Sequence, residues 1–240
     1  MSFGDSPLGR GDSEAAARLV VVDQGGDLLD GAPGLQLSRL PSCQALVVTK
    51  TSPGLGEAQA RSLTSLVRSI GLGQLGNPMY LVLDFAHLGH AEPAHGNGFE
   101  GLATELTGLV LKAPVVPVAF VRTEVGGGDL ELALACSVLV ADDGARFDFN
   151  ADPLEALGLY ALLAQKIGFV RAERLMEQGR RISAEEMKEL LLVKEVVRAD
   201  QGLDDLEAFL ARHMRRHNSF HSIYRAQRLL SASRELPRSA

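Results

Sequence analysis

The chain has 240 residues, of which 46% are hydrophobic and 22% charged, a balance that buries a core and excludes disorder over most of the length. Its net charge of −6 repels nucleic acid, and its two cysteines, Cys43 and Cys136, have no close Cys or His partner in sequence, so neither a disulfide framework nor a Cys-based zinc site is expected. The longest apolar stretch, Leu109 to Val121, is broken by Lys112, Pro114 and Pro117 and falls short of the roughly 20 residues of a membrane span. The N-terminal stretch carries no apolar run of the signal-peptide kind, and a cytoplasmic protein without a membrane or nucleic-acid partner is expected.

Residues 1–17, rich in Ser, Gly and Asp, read as a flexible lead. Residues 18–200 read as the core, and 201–240 as a helical, basic segment for oligomerisation. Short β-type runs at Arg18 to Asp23 and Ala45 to Lys50 are followed by a helix over Gly56 to Ile70, where Leu63, Leu66, Val67 and Ile70 recur at helical spacing. A strand at Met79 to Phe85 follows Asn77-Pro78. Beyond it come a helix at Phe99 to Leu111, a buried strand at Val115 to Val121, a short helix at Leu130 to Cys136 and a strand at Val138 to Ala141. Three helices near Leu157 to Lys166, Arg171 to Gln178 and Ala184 to Leu192 precede an amphipathic helix from Leu203. Strand, helix and strand in alternation predict an α/β fold.

Charge is uneven along the chain. From Arg212 onward seven Arg face one acid, Glu235, which leaves 17 basic and 29 acidic residues upstream. Such a tail suits an acidic neighbour or phosphates, or simply forms a solvated helix face. Within it His213, His217 and His221 recur every four residues and share a helical face; the intervening Arg215 and Arg216 oppose a bound cation, so a polar face is expected rather than a metal site. The loop group Asp84, His87, His90, Glu92 and His95 has ligand chemistry without a spacing that defines a geometry. Gly71, Gly73 and Gly76 fit G-x-G-x-x-G, but they follow a helix and precede a strand, the reverse of a dinucleotide fingerprint, and are expected to end the helix and link onward.

The segment from Pro117 to Cys136 is a buried strand, a glycine turn and a helix. Glycines there let backbone N–H groups approach a substrate oxygen while the helix adds its positive end; equally, they permit a tight strand-to-helix turn. This stretch, VAFVRTEVGGGDLELALACSVLVADDGARF at 118–147, together with RAERLMEQGRRISAEEMKELLLVKEVV at 171–197, resembles the crotonase (enoyl-CoA hydratase/isomerase) superfamily. With ALGLYALLAQKIG at 156–168 and the run HNSFHSIYRAQR, it is particularly similar to the branch that makes diffusible signal factor, an unsaturated fatty acid, from acyl thioesters.

The resemblance implies a spiral of ββα units with a C-terminal helical region, a homotrimer or hexamer, and an acyl-CoA thioester as ligand or substrate, with no metal and no cofactor. Laid on the family's G-G-G-x-E without a gap, the chain places Gly127, Gly128 and Asp129 on the glycines and Glu131 on the first catalytic glutamate. Gly128 then supplies an oxyanion N–H, Glu131 is the acid/base candidate, and Gly127 and Asp129 adjoin the substrate. A second register uses Gly126, Gly127 and Gly128 and needs one extra residue before Glu131.

Three departures accompany these matches. The family's second glutamate falls on Ala151, with Asp148, Asp152 and Glu155 as substitutes nearby. Asp129 puts a carboxylate at the helix start, which suits the helix as a cap but lies where an enolate gains negative charge. The loop after Phe85 lacks the family's A-G-x-D element. Two functional expectations result: a non-catalytic or weakly active binding or regulatory member with a protein partner, or an acyl-thioester hydratase, dehydratase or thioesterase that uses Glu131.

Overall fold

The computed structural model describes residues 20–21, 29, 32–87, 99–150 and 153–235. Its frame is a seven-stranded sheet in the order β1-β2-β3-β4-β5-β7-β10, built from Val20–Val21 (β1), Leu35–Leu40 (β2), Ala45–Lys50 (β3), Tyr80–Phe85 (β4), Val116–Val121 (β5), Val138–Asp142 (β7) and Glu195–Val197 (β10). β1, β2 and β3 pair antiparallel, whereas β3 through β10 run parallel. Parallel neighbours require crossovers, which here carry helices: α1 (Glu57–Gly71), α2 (Phe99–Leu111) and α3 (Gly127–Ala135). A small second sheet joins β6 (Glu124–Gly126), β8 (Arg146–Asp148) and β9 (Arg181–Ser183). It stands beside α3, whose start directly continues β6.

The strands β3, β4, β5 and β7 are almost wholly apolar because both faces of the sheet are covered. Alternation sorts them into two cores. Leu46, Val48, Leu81, Leu83, Phe85, Ala119, Val121, Leu139 and Ala141 face the crossover helices. Ala45, Val47, Tyr80, Val82, Val116, Val118, Phe120, Val138 and Val140 face Leu206, Phe209 and Leu210 of α7 (Leu203–Glu235). The α/β architecture is thus observed.

The remaining helices are α4 (Pro153–Ile167), α5 (Phe169–Gln178) and α6 (Ala184–Glu189). At the start of α6, Ser183 Oγ accepts from the Glu186 amide at 3.2 Å while Glu186 Oε2 accepts from the Ser183 amide at 3.0 Å, a reciprocal cap on two otherwise orphaned donors. Ser183→Ala should therefore cost about 1 kcal/mol, read from the urea midpoint; an unchanged midpoint would count against the cap.

Several expectations change. The helix placed at Leu130 begins three residues earlier, within the glycines, and the helix placed through Leu192 ends at Glu189. The Gly71–Gly76 segment, as expected, ends α1 and links to β4, with Gly73 and Gly76 at positive φ. The histidine face of α7 points inward instead of into solvent. His221 Nε2 donates to the Ala113 carbonyl at 2.9 Å, leaving Nδ1 to accept from Ser137 Oγ at 3.1 Å, and His217 Nδ1 lies 3.0 Å from the Tyr80 hydroxyl. His213, His217 and His221 continue the stripe begun by Leu206 and Leu210, and within it His213 stacks on His217 and packs against Phe209. Burial, with His213 and Arg216 nearby, pushes the His217 pKa down to about 4. Between Leu206 and His221 this face of α7 is therefore occupied by other parts of the same chain.

Candidate functional site

Three strand exits meet at the glycine turn: β3 leaves through Lys50 to Leu55, β4 through Ala86 and His87, and β6 through Gly126 into α3. Carboxyl ends of parallel strands are where α/β sheets bind ligands. Gly126 is the extended N-cap of α3 and Gly127 enters the helix at φ 52°, a left-handed conformation that favours glycine at this turn. Gly128 and Glu131 follow one turn apart on the same side of α3.

Glu131 Oε1 accepts from Thr107 Oγ1 of α2 at 3.1 Å. On the other side α4 approaches so closely that a Cβ on Gly158 would stand 2.7 Å from Glu131 Oε2. Gly158→Ala should accordingly displace the Glu131 side chain while changing stability by less than about 1 kcal/mol, since alanine favours the helix. Weakening of the Thr107 bond, seen as a shifted Thr107 methyl resonance, checks this; an unmoved resonance would refute it.

Asp129 does not cap the helix with its side chain. It is 1% exposed, and its Oδ2 lies 3.0 Å from Lys50 Nζ and 3.4 Å from His87 Nε2. Lys50 also donates to the Ser52 carbonyl. Burial draws the Lys50 pKa below its ordinary value, and the Asp129 charge opposes that shift. The sequence argument that Asp129 serves as a helix cap therefore gives way to a buried ion pair spanning β3 and α3. Asp129 still lies in the first turn, where a negative charge suits the helix.

Of the loop group, His90, Glu92 and His95 lie outside the described residues. Asp84 is buried and accepts from Arg122 at 2.8 and 2.7 Å and from Thr49 at 2.9 Å. Among the described residues no three His, Cys, Asp or Glu side chains are grouped to hold a metal. Ala151 and Asp152 lie outside the described residues, as does the side chain of Glu155. Asp148 accepts from the Asn150 amide at 2.9 Å and pairs with Arg181 at 3.3 Å. Sequence reasoning missed the Lys50 partner, although a lysine ending an apolar strand already asks for a counter-charge.

The family model for enoyl-CoA hydratase/isomerase matches residues 82–234, more than half of the chain. The chain belongs to the enoyl-CoA hydratase/isomerase family. Among curated proteins it is similar to the probable enoyl-CoA hydratase EchA12 of Mycobacterium tuberculosis, 40% identical over 106 residues, or 42% of this chain and 36% of that protein. It is also similar to the probable enoyl-CoA hydratase echA8 of Mycobacterium leprae, 36% identical over 85 residues, 34% of this chain and 33% of that one. The chain thus matches about a third of the length of these relatives.

Among solved structures, a monofunctional enoyl CoA isomerase from M. smegmatis superimposes with a TM-score of 0.63 at 24% identity, over 81% of this chain and 91% of that one. An enoyl-CoA hydratase from Mycobacterium avium subsp. paratuberculosis gives 0.66 at 21% identity, over 82% and 85%. At that identity the likeness establishes the fold. Among the described residues no helix is long and apolar enough to cross a membrane.

Proposed function

We propose that this family member binds an acyl-CoA thioester and is non-catalytic or only weakly active as a hydratase, serving as a binding or regulatory protein. The carrying observation is the Asp129–Lys50 pair inside the glycine turn. A carboxylate in the first turn of α3 competes for the positive helix end that would otherwise favour an enolate oxygen. Asp148, the substitute carboxylate that is described, is engaged with Arg181 and the Asn150 amide, which argues against it as the second member of a hydration pair. Gly127, Gly128 and Asp129 remain the residues proposed to adjoin the thioester, with Gly128 N–H toward its carbonyl oxygen.

The likeness to the diffusible signal factor branch favours a fatty acyl chain, and the Arg-rich tail is suited to the phosphates of CoA. We further propose a cytoplasmic homotrimer or hexamer that meets a protein partner and needs no cofactor. Calorimetric titration with butyryl-CoA and free CoA, alongside hydration of crotonyl-CoA, tests the main reading: acyl-CoA should bind while hydration stays at background. Absence of binding overturns it. The second reading, a hydratase, dehydratase or thioesterase using Glu131, is favoured by the placement of Glu131 one turn from Gly128 and its bond to Thr107. Brisk turnover abolished by Glu131→Gln would establish that reading instead.

A further inference from the structure

We propose that His87 is a proton-transfer base in this site, oriented by Asp129 and with Lys50 balancing the Asp129 charge, acting on the α-carbon of a bound acyl thioester. The inference rests on the acyl-thioester reading above and names the side chains that carry its residual chemistry.

His87 is 1% exposed, yet neither ring nitrogen has a hydrogen-bond partner among the described residues. A buried polar group left this way carries its full desolvation cost, and such groups in native folds call for a specific explanation, a catalytic role among them. The His87 carbonyl accepts from Thr123 Oγ1 at 2.5 Å, which fixes the β4 exit against the β5 exit. Asp129, whose Oδ2 is 3.4 Å from His87 Nε2, immediately follows Gly128, the amide proposed for the thioester oxygen. A base, a carboxylate beside it and an oxyanion donor thus converge on one turn. In general, a carboxylate beside an imidazole orients the ring and stabilises the imidazolium once it forms. Glu131 lies one turn further along α3 between Thr107 and Gly158.

The step is balanced without a co-reactant. A ring nitrogen of His87 takes the α-proton, the C–H electron pair becomes the enolate double bond, and the carbonyl π pair moves onto the oxygen facing Gly128 N–H. Reversal returns a proton to the same carbon. In D2O the imidazolium first exchanges with solvent, so a deuteron is returned. His87 is the catalytic residue in this scheme; Asp129 and Lys50 are positioning residues.

The test incubates the full chain with butyryl-CoA in D2O and follows deuterium at the α-carbon by mass spectrometry, with calorimetric binding measured on the same samples. Wild type should exchange. His87→Gln and His87→Asn should bind butyryl-CoA within about threefold of wild type while exchange falls by about 10²-fold or more. Asp129→Asn should lower the exchange rate by a larger factor than it changes the affinity, a split that a merely structural role would not produce. If these variants fold poorly, His87→Gly supplies the test, since added imidazole should restore exchange. Binding without exchange in wild type overturns this inference alone, as does full exchange in a folded His87 variant or a His87→Gly protein that imidazole does not rescue. Loss of exchange in Glu131→Gln with full exchange in His87→Gln overturns it in favour of Glu131. Absence of butyryl-CoA binding overturns the thioester reading and this inference together.

Discussion

Asp129→Ala is expected to lower the unfolding free energy by about 3–5 kcal/mol, because it leaves the Lys50 ammonium buried without its counter-charge. Lys50 and Asp129 are 4% and 1% exposed at their side chains, so water screens the pair little. Lys50→Met should cost a similar amount by stranding the carboxylate. The double variant Lys50→Met/Asp129→Leu removes both charges and replaces them with apolar volume, and such exchanges are typically neutral or stabilising. Urea unfolding of the four proteins should place the double variant nearer wild type than either single one. Simple additivity of the two losses would show that the pair is not coupled. The same physics bears on Asp129→Gly, which restores the family's third glycine. Viewed as a cap, Asp129 could become glycine at little cost; as the partner of a buried lysine, it cannot. Any gain in thioester affinity in that variant must therefore be measured under conditions where it remains folded.

Long elements were legible because their periodicity extends over several turns or pleats. Ala45–Lys50 and Phe99–Leu111 appear with the bounds that the pattern predicts, and Val116–Val121 differs by one residue. The strands β6, β8, β9 and β10 have three residues each, too few for alternation to emerge. β2 hides for another reason: Gln36, Ser38 and Arg39 dilute its apolar run, and only pairing with β3 makes it a strand. At the site, the glycine turn is legible locally, whereas Glu131 stands out only through the resemblance to the family's G-G-G-x-E pattern. The Asp129–Lys50 contact spans 79 positions and leaves no local trace in either segment. What the sequence does carry is a set of charges ending apolar strands: Lys50 after Ala-Leu-Val-Val-Thr, Asp84 in Tyr-Leu-Val-Leu-Asp-Phe, and Asp142 after Val-Leu-Val-Ala. Register brings the first two to neighbouring strand ends, where Thr49 faces Asp84. Charges there must find partners or shift their protonation, so each of these residues asks for a partner that only the register of the sheet identifies.

Asp142 offers the clearest dependence on pH. It is 3% exposed, and its Oδ1 has no hydrogen-bond partner among the described residues. Burial pushes its pKa up from 3.8 to about 6; Asp143 and Asp84 add to the rise, and Arg122 opposes it. Between those two values the folded chain holds a proton that the unfolded chain has released. The resulting stability is fully present below the unfolded pKa, falls as pH rises through the interval, and is absent above the folded pKa. Asp142→Asn has no carboxylate to desolvate, so relative to wild type it should gain about 1–3 kcal/mol on going from about pH 4 to about pH 7. Whatever the asparagine amide costs in packing or hydrogen bonding is common to both pH values and cancels in that difference. Urea unfolding of wild type and Asp142→Asn at the two pH values measures it directly. A constant gap between the two proteins would mean that Asp142 ionises in the folded chain as readily as in the unfolded one, with Arg122 offsetting the whole effect of burial.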